Sequence, residues 1–416
     1  MNNQLILHLS TQDFGGAGIA ATRIHECMLK SGLDSVFLTR FSSFESNKKH
    51  ALEARPTKYD FSKIVKVIKR KLNYREKYNM FSISDRSSYN IIKEIQALAL
   101  KPDIVIFHWI ADFISLEDMQ AIKNRFDCKV YWYAMDMALL TGGCHFSWDC
   151  QEYKSGCVKC PAEYLHRGSA AKYFQKKCNV VARLGIESIA SNEWVKKQIQ
   201  SSAIPFRATH LAYLPIDIDV FKPFLRNKEE SDKTQIRILF GAVNTKDKRK
   251  GLEYFLKALF KLKVLIQHST EQLLDPVVIL PGPYTTHIDS IIPFKIERLD
   301  FANSDLELNM MYQSSDVYVS ASIEDTGPMM VSESLMSGIP VIAFNMGVCS
   351  ELISNGINGY IVHNKDSDAL AHKLFDFIAK SIDEIKEMKV QARSSVIDKI
   401  SVEAHVKQIK RALGIS

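Results

Sequence analysis

Two acids and a run of cations carry the chemistry most readily read from this sequence. Asp325 closes the stretch Ser322-Ile323-Glu324-Asp325-Thr326-Gly327, and Glu333 follows eight residues later. Between them Pro328 suits the first position of a helix, with Met329–Met336 as its body. A helix N-terminus offers free N–H groups to an anion. A carboxylate one or two turns in can accept hydrogen bonds from two neighbouring hydroxyls. A second reading has Asp325 only capping the helix, with Glu333 on the surface, and the sequence leaves both open. The cations are Lys246, Lys248, Arg249 and Lys250, held between Gly241 and Gly251. Cations beside a helix N-terminus suit a diphosphate, although an exposed basic loop reads the same way. A third feature is Gly15-Gly16-Ala17-Gly18, where glycines let backbone N–H groups approach an anion or a sugar closely. It lacks the G-x-G-x-x-G spacing and is not read as a nicotinamide site.

Such residues work only if strands and helices deliver them to one place. Apolar runs alternate with helix-like segments through the chain, the pattern of a parallel α/β sheet. Leu5–Ser10, Val36–Thr39, Ile104–Phe107, Val130–Tyr133 and Ile186–Ser191 read as strands of a first half. Ile236–Phe240, Val277–Leu280, Val317–Ala321 and Pro340–Phe344 read as strands of a second. Leu252, Phe255, Leu256, Leu259 and Phe260 share a helix face after the basic loop, and Ser401–Leu413 reads as a closing helix. In an open parallel sheet, ligands bind beyond the carboxyl ends of the strands. The glycine loop, the basic loop and Asp325 all follow strands directly.

At 416 residues the chain is long enough for two domains, each with its own core. Hydrophobic content of 46% and charged content of 24% exclude a disordered or fibrous chain. The net charge of +7 suits an anionic partner without demanding nucleic acid. Met1–His8 lacks the basic start of a signal peptide, and no apolar run is long enough to span a membrane. The expectation is therefore a cytoplasmic protein whose cysteines are thiols or metal ligands. Residues 47–78 stand apart, with Lys and Arg far outnumbering Asp and Glu. There Phe61, Ile64, Val65, Ile68 and Leu72 fall at helical spacing between Lys63, Lys66, Lys69 and Lys71. Two readings stay open: a helix lying on an anionic membrane, or a surface helix packed on its own domain.

The run Asp325-Thr326-Gly327-Pro328-Met329-Met330-Val331-Ser332-Glu333, continued by Ser334–Ala343, resembles the Glu-x7-Glu motif of glycosyltransferase family 4. Glu351-Leu352-Ile353 and Gly356–Val362 extend the likeness. The resemblance implies an α/β GT-B fold: two Rossmann-like domains with parallel sheets facing across a cleft, and a C-terminal helix crossing back. It implies residues 1–215 as an acceptor domain, 216–395 as a nucleotide-sugar domain, and 396–416 as the returning helix. It also implies retaining sugar transfer from a nucleotide-sugar donor, with no metal needed for catalysis. Chemistry would fall to Asp325, Lys250, Arg249 and His108. The donor would lie against Gly15, Gly16, Gly241, Lys250, Arg249, Asp325, Thr326, Gly327, Pro328, Met329, Met330 and Glu333, with Glu333 on the ribose. Asp325 is shorter than the family's usual Glu. Ala242 stands where many members carry Arg. These departures leave room for a binding scaffold that has lost turnover.

A second stretch, Asp136-Met137 with Thr141-Gly142-Gly143-Cys144-His145, Cys150, Cys157 and Cys160-Pro161, resembles a subgroup that builds bacterial envelope polysaccharides. The acceptor implied is a lipid-linked or growing saccharide, for lipopolysaccharide, capsule or exopolysaccharide, handled at the inner face of the membrane. Met135 occupies the place of the subgroup's His, leaving His108 or His145 to take that role on the acceptor side with Asp136. His108, closing Ile104–Phe107, serves equally as a structural hydrogen bonder. Cys144, Cys150, Cys157 and Cys160 end in Cys-x2-Cys, and a structural zinc, free thiols or disulfides all remain open. Four thiolates would saturate zinc, which excludes a zinc hydrolase.

Overall fold

The computed structural model describes residues 4–42, 48–54, 75–78, 90–164, 168–224, 234–241, 247–282 and 286–415. The chain forms two compact units, Met1–Leu214 with Val406–Ser416, and Pro215–His405. The first unit holds strands β1 (Ile6–Gln12), β2 (Ser35–Ser42), β3 (Lys49–Ala54), β4 (Ile104–Phe107), β5 (Lys129–Ala134), β6 (Glu187–Ala190) and β7 (Thr209–Leu211). They make one parallel sheet in the order β3-β2-β1-β4-β5-β6-β7. The second unit holds β8 (Gln235–Leu239), β9 (Asp275–Pro281), β10 (Lys295–Leu299), β11 (Val317–Ser320), β12 (Val341–Phe344) and β13 (Gly359–Val362). Their order is β10-β9-β8-β11-β12-β13, again all parallel.

Burial explains why the central strands were legible. Ile6, Leu7, Leu9, Val105, Ile106 and Phe107 are all fully buried, so both faces of the sheet are covered and the strands are apolar throughout. The strands with no counterpart in the sequence reading are β3, β7, β10 and β13, and each is a sheet edge. An edge strand pairs on one side only and tolerates charge; β10 is Lys-Ile-Glu-Arg-Leu. Helix Leu252–His268 buries Phe255, Ala258, Leu259 and Leu262. Phe260 is 48% exposed and lies off that stripe.

The C-terminal segment changes unit later than 396: residues up to His405 belong with the second unit and only Val406–Ser416 with the first. Tyr213 N–H donates to Gln408 Oε1 at 2.9 Å within the first unit. Arg393 secures the connecting segment to the second unit, donating to the carbonyls of Phe221 and Met336 at 2.6 Å and of Ile218 at 3.0 Å. The apolar-striped basic segment around Phe61–Leu72 lies outside the described residues, as do Ala242 and Lys246. Among the described residues no helix is long and apolar enough to cross a membrane.

Candidate functional site

In each sheet the strand order reverses direction beside the first strand, between β1 and β4 and between β8 and β11. That reversal opens a crevice beyond the strand ends, and the predicted residues gather at both places.

In the second unit, β8 runs into Gly241, where an added Cβ would meet Met330 and Pro281 at 3.1 Å. Gly241 and Met330 are thus neighbours. The basic loop ends in a 3-10 turn, Lys248–Lys250, followed by Gly251. Gly251 has φ +70°, and a Cβ there would stand 1.8 Å from the carbonyl oxygen of Ala321. Only glycine lets this turn press so closely on the end of β11. Ile323 N–H then donates to the Arg249 carbonyl at 2.8 Å, locking the two loops together.

This clamp brings Lys250 Nζ to 2.5 Å from Asp325 Oδ2. Asp325 Oδ1 also accepts the Gly327 N–H at 3.1 Å. Burial works against ionising Asp325, but the Lys250 ammonium, its hydrogen bond and the Arg249 charge outweigh it and hold the carboxyl below its ordinary range. Asp325 therefore stays ionised at neutral pH, and the stability it contributes is lost as pH falls through that depressed value. Helix Met329–Met336 begins after Pro328 with no side-chain cap and no acid in its first turn. Asp325 does not cap it, so the first N–H groups have no side chain from that position upon them. Pro328 is the residue before the helix, one position earlier than expected. Glu333 is 2% exposed, which removes the surface reading, and its Oε2 accepts the Tyr312 hydroxyl at 2.7 Å.

Arg249 is engaged too. Its Nη2 lies 2.5 Å from Asp247 Oδ2, and its Nε donates to Asp247 Oδ1 at 3.2 Å. The sequence reading counted the cations of this loop and passed over Asp247 among them. Tyr312, buried under Glu333, carried no signal in sequence because its helix lies away from the motif.

In the first unit, Gly15 and Gly16 open helix Gly15–Lys30 directly after β1. An added Cβ at Gly18 would stand 2.7 Å from Gln12 O and Asp13 C, whereas at Gly16 it would meet nothing within 4 Å. Gly18 is thus required by packing, and Gly16 leaves open space.

His108, after β4, stacks on His8, with its Nε2 2.9 Å from His8 Nδ1. Burial, with a smaller effect of His25, pushes its pKa down to about 3. A ring so hard to protonate suits hydrogen bonding better than proton transfer. It lines a small cavity with Trp109, Trp132, Asp136, Leu139 and His145. His145 Nδ1 bonds Asp136 Oδ2, and Asp136 Oδ1 accepts the Ala138 N–H at 2.9 Å. The three acceptor-side residues therefore converge. Of the two histidines weighed for the place left by Met135, His145 is the one bonded to Asp136.

Cys144, Cys150, Cys157 and Cys160 line a second cavity with Gly142 and Tyr153. All four are free thiols. Among the described residues no three His, Cys, Asp or Glu side chains are gathered so as to hold a metal ion.

Residues 235–380 match the family described as glycosyl transferases group 1. An uncharacterized glycosyltransferase of Methanocaldococcus jannaschii is 27% identical over 128 residues, which cover 30% of this chain and 31% of that protein. The match thus spans about a third of the curated relative's length. Sucrose-phosphate synthase from Thermosynechococcus elongatus is similar in structure, with TM-score 0.68, 14% identity and 98% of both chains covered. So is Anabaena HepE in complex with UDP-glucose, with TM-score 0.64, 13% identity and 99% of both chains covered. The two Rossmann-like α/β units of this chain match the GT-B fold of these structures.

Proposed function

We propose that the protein is a retaining glycosyltransferase that moves a sugar from a nucleoside-diphosphate donor to a hydroxyl of a lipid-linked or growing envelope saccharide. The observation that carries this reading is the Lys250–Asp325 pair at the strand-order reversal of the second unit, in the part of the chain that matches group 1 glycosyl transferases. The complex of the structurally similar HepE with UDP-glucose is consistent with a nucleotide-sugar donor.

The two partners have complementary uses. Cleaving the bond between sugar and diphosphate builds negative charge on the departing phosphate. A fixed ammonium and uncapped helix N–H groups stabilise that charge where it develops. Lys250 and the start of helix Met329–Met336 supply both, and Asp325, released by the phosphate, accepts hydrogen bonds from sugar hydroxyls. Glu333, kept in place by Tyr312, is assigned to the ribose. Arg249, oriented by Asp247, adds positive field behind Lys250. On the acceptor side, the Asp136–His145 pair holds the imidazole that contacts the saccharide. No metal enters these steps.

The test is release of nucleoside diphosphate from a panel of nucleotide sugars with extracted envelope glycolipids as acceptors. Wild type should turn over one donor, and Lys250→Ala should lower that rate by about 10²–10³, the range for removing one charge-stabilising donor. Binding of nucleotide without turnover of any donor would instead favour a scaffold.

A further inference from the structure

We propose that Lys177 is the positioning residue of the acceptor side: its buried ammonium holds the loop 135–145 in the shape that sets His145 against Asp136. The link to the acceptor rests on the function proposed above; the seating of the loop stands apart from it, and the experiment reads the two separately.

The loop leaves β5 and runs through the interior. Met137, Leu139, Leu140, Thr141 and His145 are each at most 3% exposed. A buried loop must find partners for its backbone inside the protein. Part of that need is met within the loop, where Met137 N–H donates to the His145 carbonyl at 2.8 Å and Leu140 N–H to the Met137 carbonyl at 2.9 Å. Among the described residues, the carbonyls of Ala138 and Thr141 are met by Lys177 alone, at 2.6 and 2.7 Å. Ala138 is the link to the site, because its N–H donates to Asp136 Oδ1 while its carbonyl sits on the ammonium.

Lys177 lies on helix Ser169–Leu184 and is itself fully buried. Its Nζ also stands 4.8 Å from the centre of the Tyr173 ring. Two carbonyls and one aromatic face match the three N–H donors of an ammonium. Burial lowers its pKa to about 8, while Cys157, Cys144, Asp136 and Cys178 act the other way, so the amine is charged at neutral pH. Burying a charge is costly, and an apolar side chain would fill the same space more cheaply. What an apolar side chain lacks is the means to bind two carbonyls of one loop.

The helix is a fixed platform for this grip. Glu163 clamps its start, accepting the N–H groups of Gly168 at 2.7 Å and Ala170 at 2.6 Å and the Ser169 hydroxyl at 2.6 Å. An added Cβ at Gly142 would stand 2.6 Å from the Ala170 carbonyl oxygen, so the loop is pressed onto the helix there too. Ala170 and Lys177 lie on one face, about two turns apart, and hold the loop at two points. The loop in turn supplies Asp136, Ala138, Leu139 and His145 to the wall of the cavity that His108 lines. Releasing the Ala138 and Thr141 carbonyls therefore loosens the wall that carries both acceptor-side groups.

The experiment is a rescue in the full chain. Lys177→Ala removes a propylammonium-shaped piece, and added propylammonium should refill the space. The amides of Met137, Ala138 and Leu140 should exchange with solvent at least about tenfold faster in the variant, as expected for losing buried hydrogen bonds to a charged group. Propylammonium should restore them and 1-propanol should not, while amides of the second unit report that the chain is folded. In the transfer assay with extracted envelope glycolipids, the variant should lose about 10²-fold in kcat/KM for the acceptor, with UDP affinity unchanged and partial recovery in propylammonium. Lys177→Met, which fills the space without the donors, should show the same fast exchange and no rescue. Wild-type protection of the loop in either folded variant overturns the proposal. So does rescue by 1-propanol equal to that by propylammonium, or UDP affinity falling as far as acceptor affinity. Wild type alone also decides: its three amides should exchange as slowly as those of β4 and β5, and exchange at the rate of exposed loops would mean that nothing holds this segment. A wild type that transfers no sugar would sink the proposed function and leave the exchange measurement to judge the seating of the loop.

Discussion

The two strand-order reversals present opposite chemistry. In the second unit the crevice residues are ions: Lys250 on Asp325, Arg249 on Asp247. In the first unit they are hydrogen-bonding rings: His108 on His8, and His145 on Asp136. The ions are only partly covered, with the Lys250 and Asp325 side chains 30% and 10% exposed. The rings are more deeply buried, His108 at 1% and His145 at 3%. In the proposed function, one topology serves two tasks. A place that receives a dianionic diphosphate needs mobile charge held in reserve by a local acid. A place that receives a neutral hydroxyl needs fixed donors and acceptors and little charge.

The sharpest way to break this contrast is to remove charge from one side and hydrogen bonds from the other. Lys250→Ala should cost the transfer rate about 10²–10³, and substitution of His108 itself should cost far less. His145→Ala should lower transfer about 100-fold, with nucleotide affinity unchanged by calorimetry. An equal loss of nucleotide affinity would place His145 with the donor and erase the distinction. Asp247→Ala, which releases Arg249 without removing it, should change transfer by about tenfold or less in a steady-state assay.

The smallest effect concerns stability. Burial pushes His108 down to about 3 and, with Lys49 and Lys48, His25 down to about 4. Both values lie below the ordinary 6.5 of the unfolded chain. Above that pH both states are neutral and nothing is gained or lost. As pH falls from about 6.5 towards 4 the unfolded state binds protons first and the fold weakens. His108→Gln should flatten that dependence when melting temperature is followed against pH. An unchanged slope would mean that this ring is not sealed from solvent.

Legibility in the sequence followed the physics of burial. The nine strands read from apolar runs are the interior strands of the two sheets, and the four missed are the edges, where Lys49–Ala54 and Lys295–Leu299 mix charge with apolar residues. At the site, Gly241, Lys250 and Asp325 were legible because each lies between a strand and the next helix, and Glu333 because of its spacing from Asp325 within the helix. Asp247 was hidden because an acid among cations looks like surface composition until its bonds to Arg249 are visible. Tyr312 lies outside any local motif and reaches Glu333 only through packing. His145 was one of two candidates for a missing histidine, and its bond to Asp136 becomes visible only once the turn after β5 is in place.

In the proposed mechanism Lys250 and Asp325 exchange each other for a donor, and calorimetric titration of UDP into wild type and Asp325→Asn tests that most directly. Removing the acid frees the ammonium for phosphate, so the variant should bind UDP about tenfold more tightly while losing transfer. Weaker UDP binding, or unaltered transfer, would contradict it.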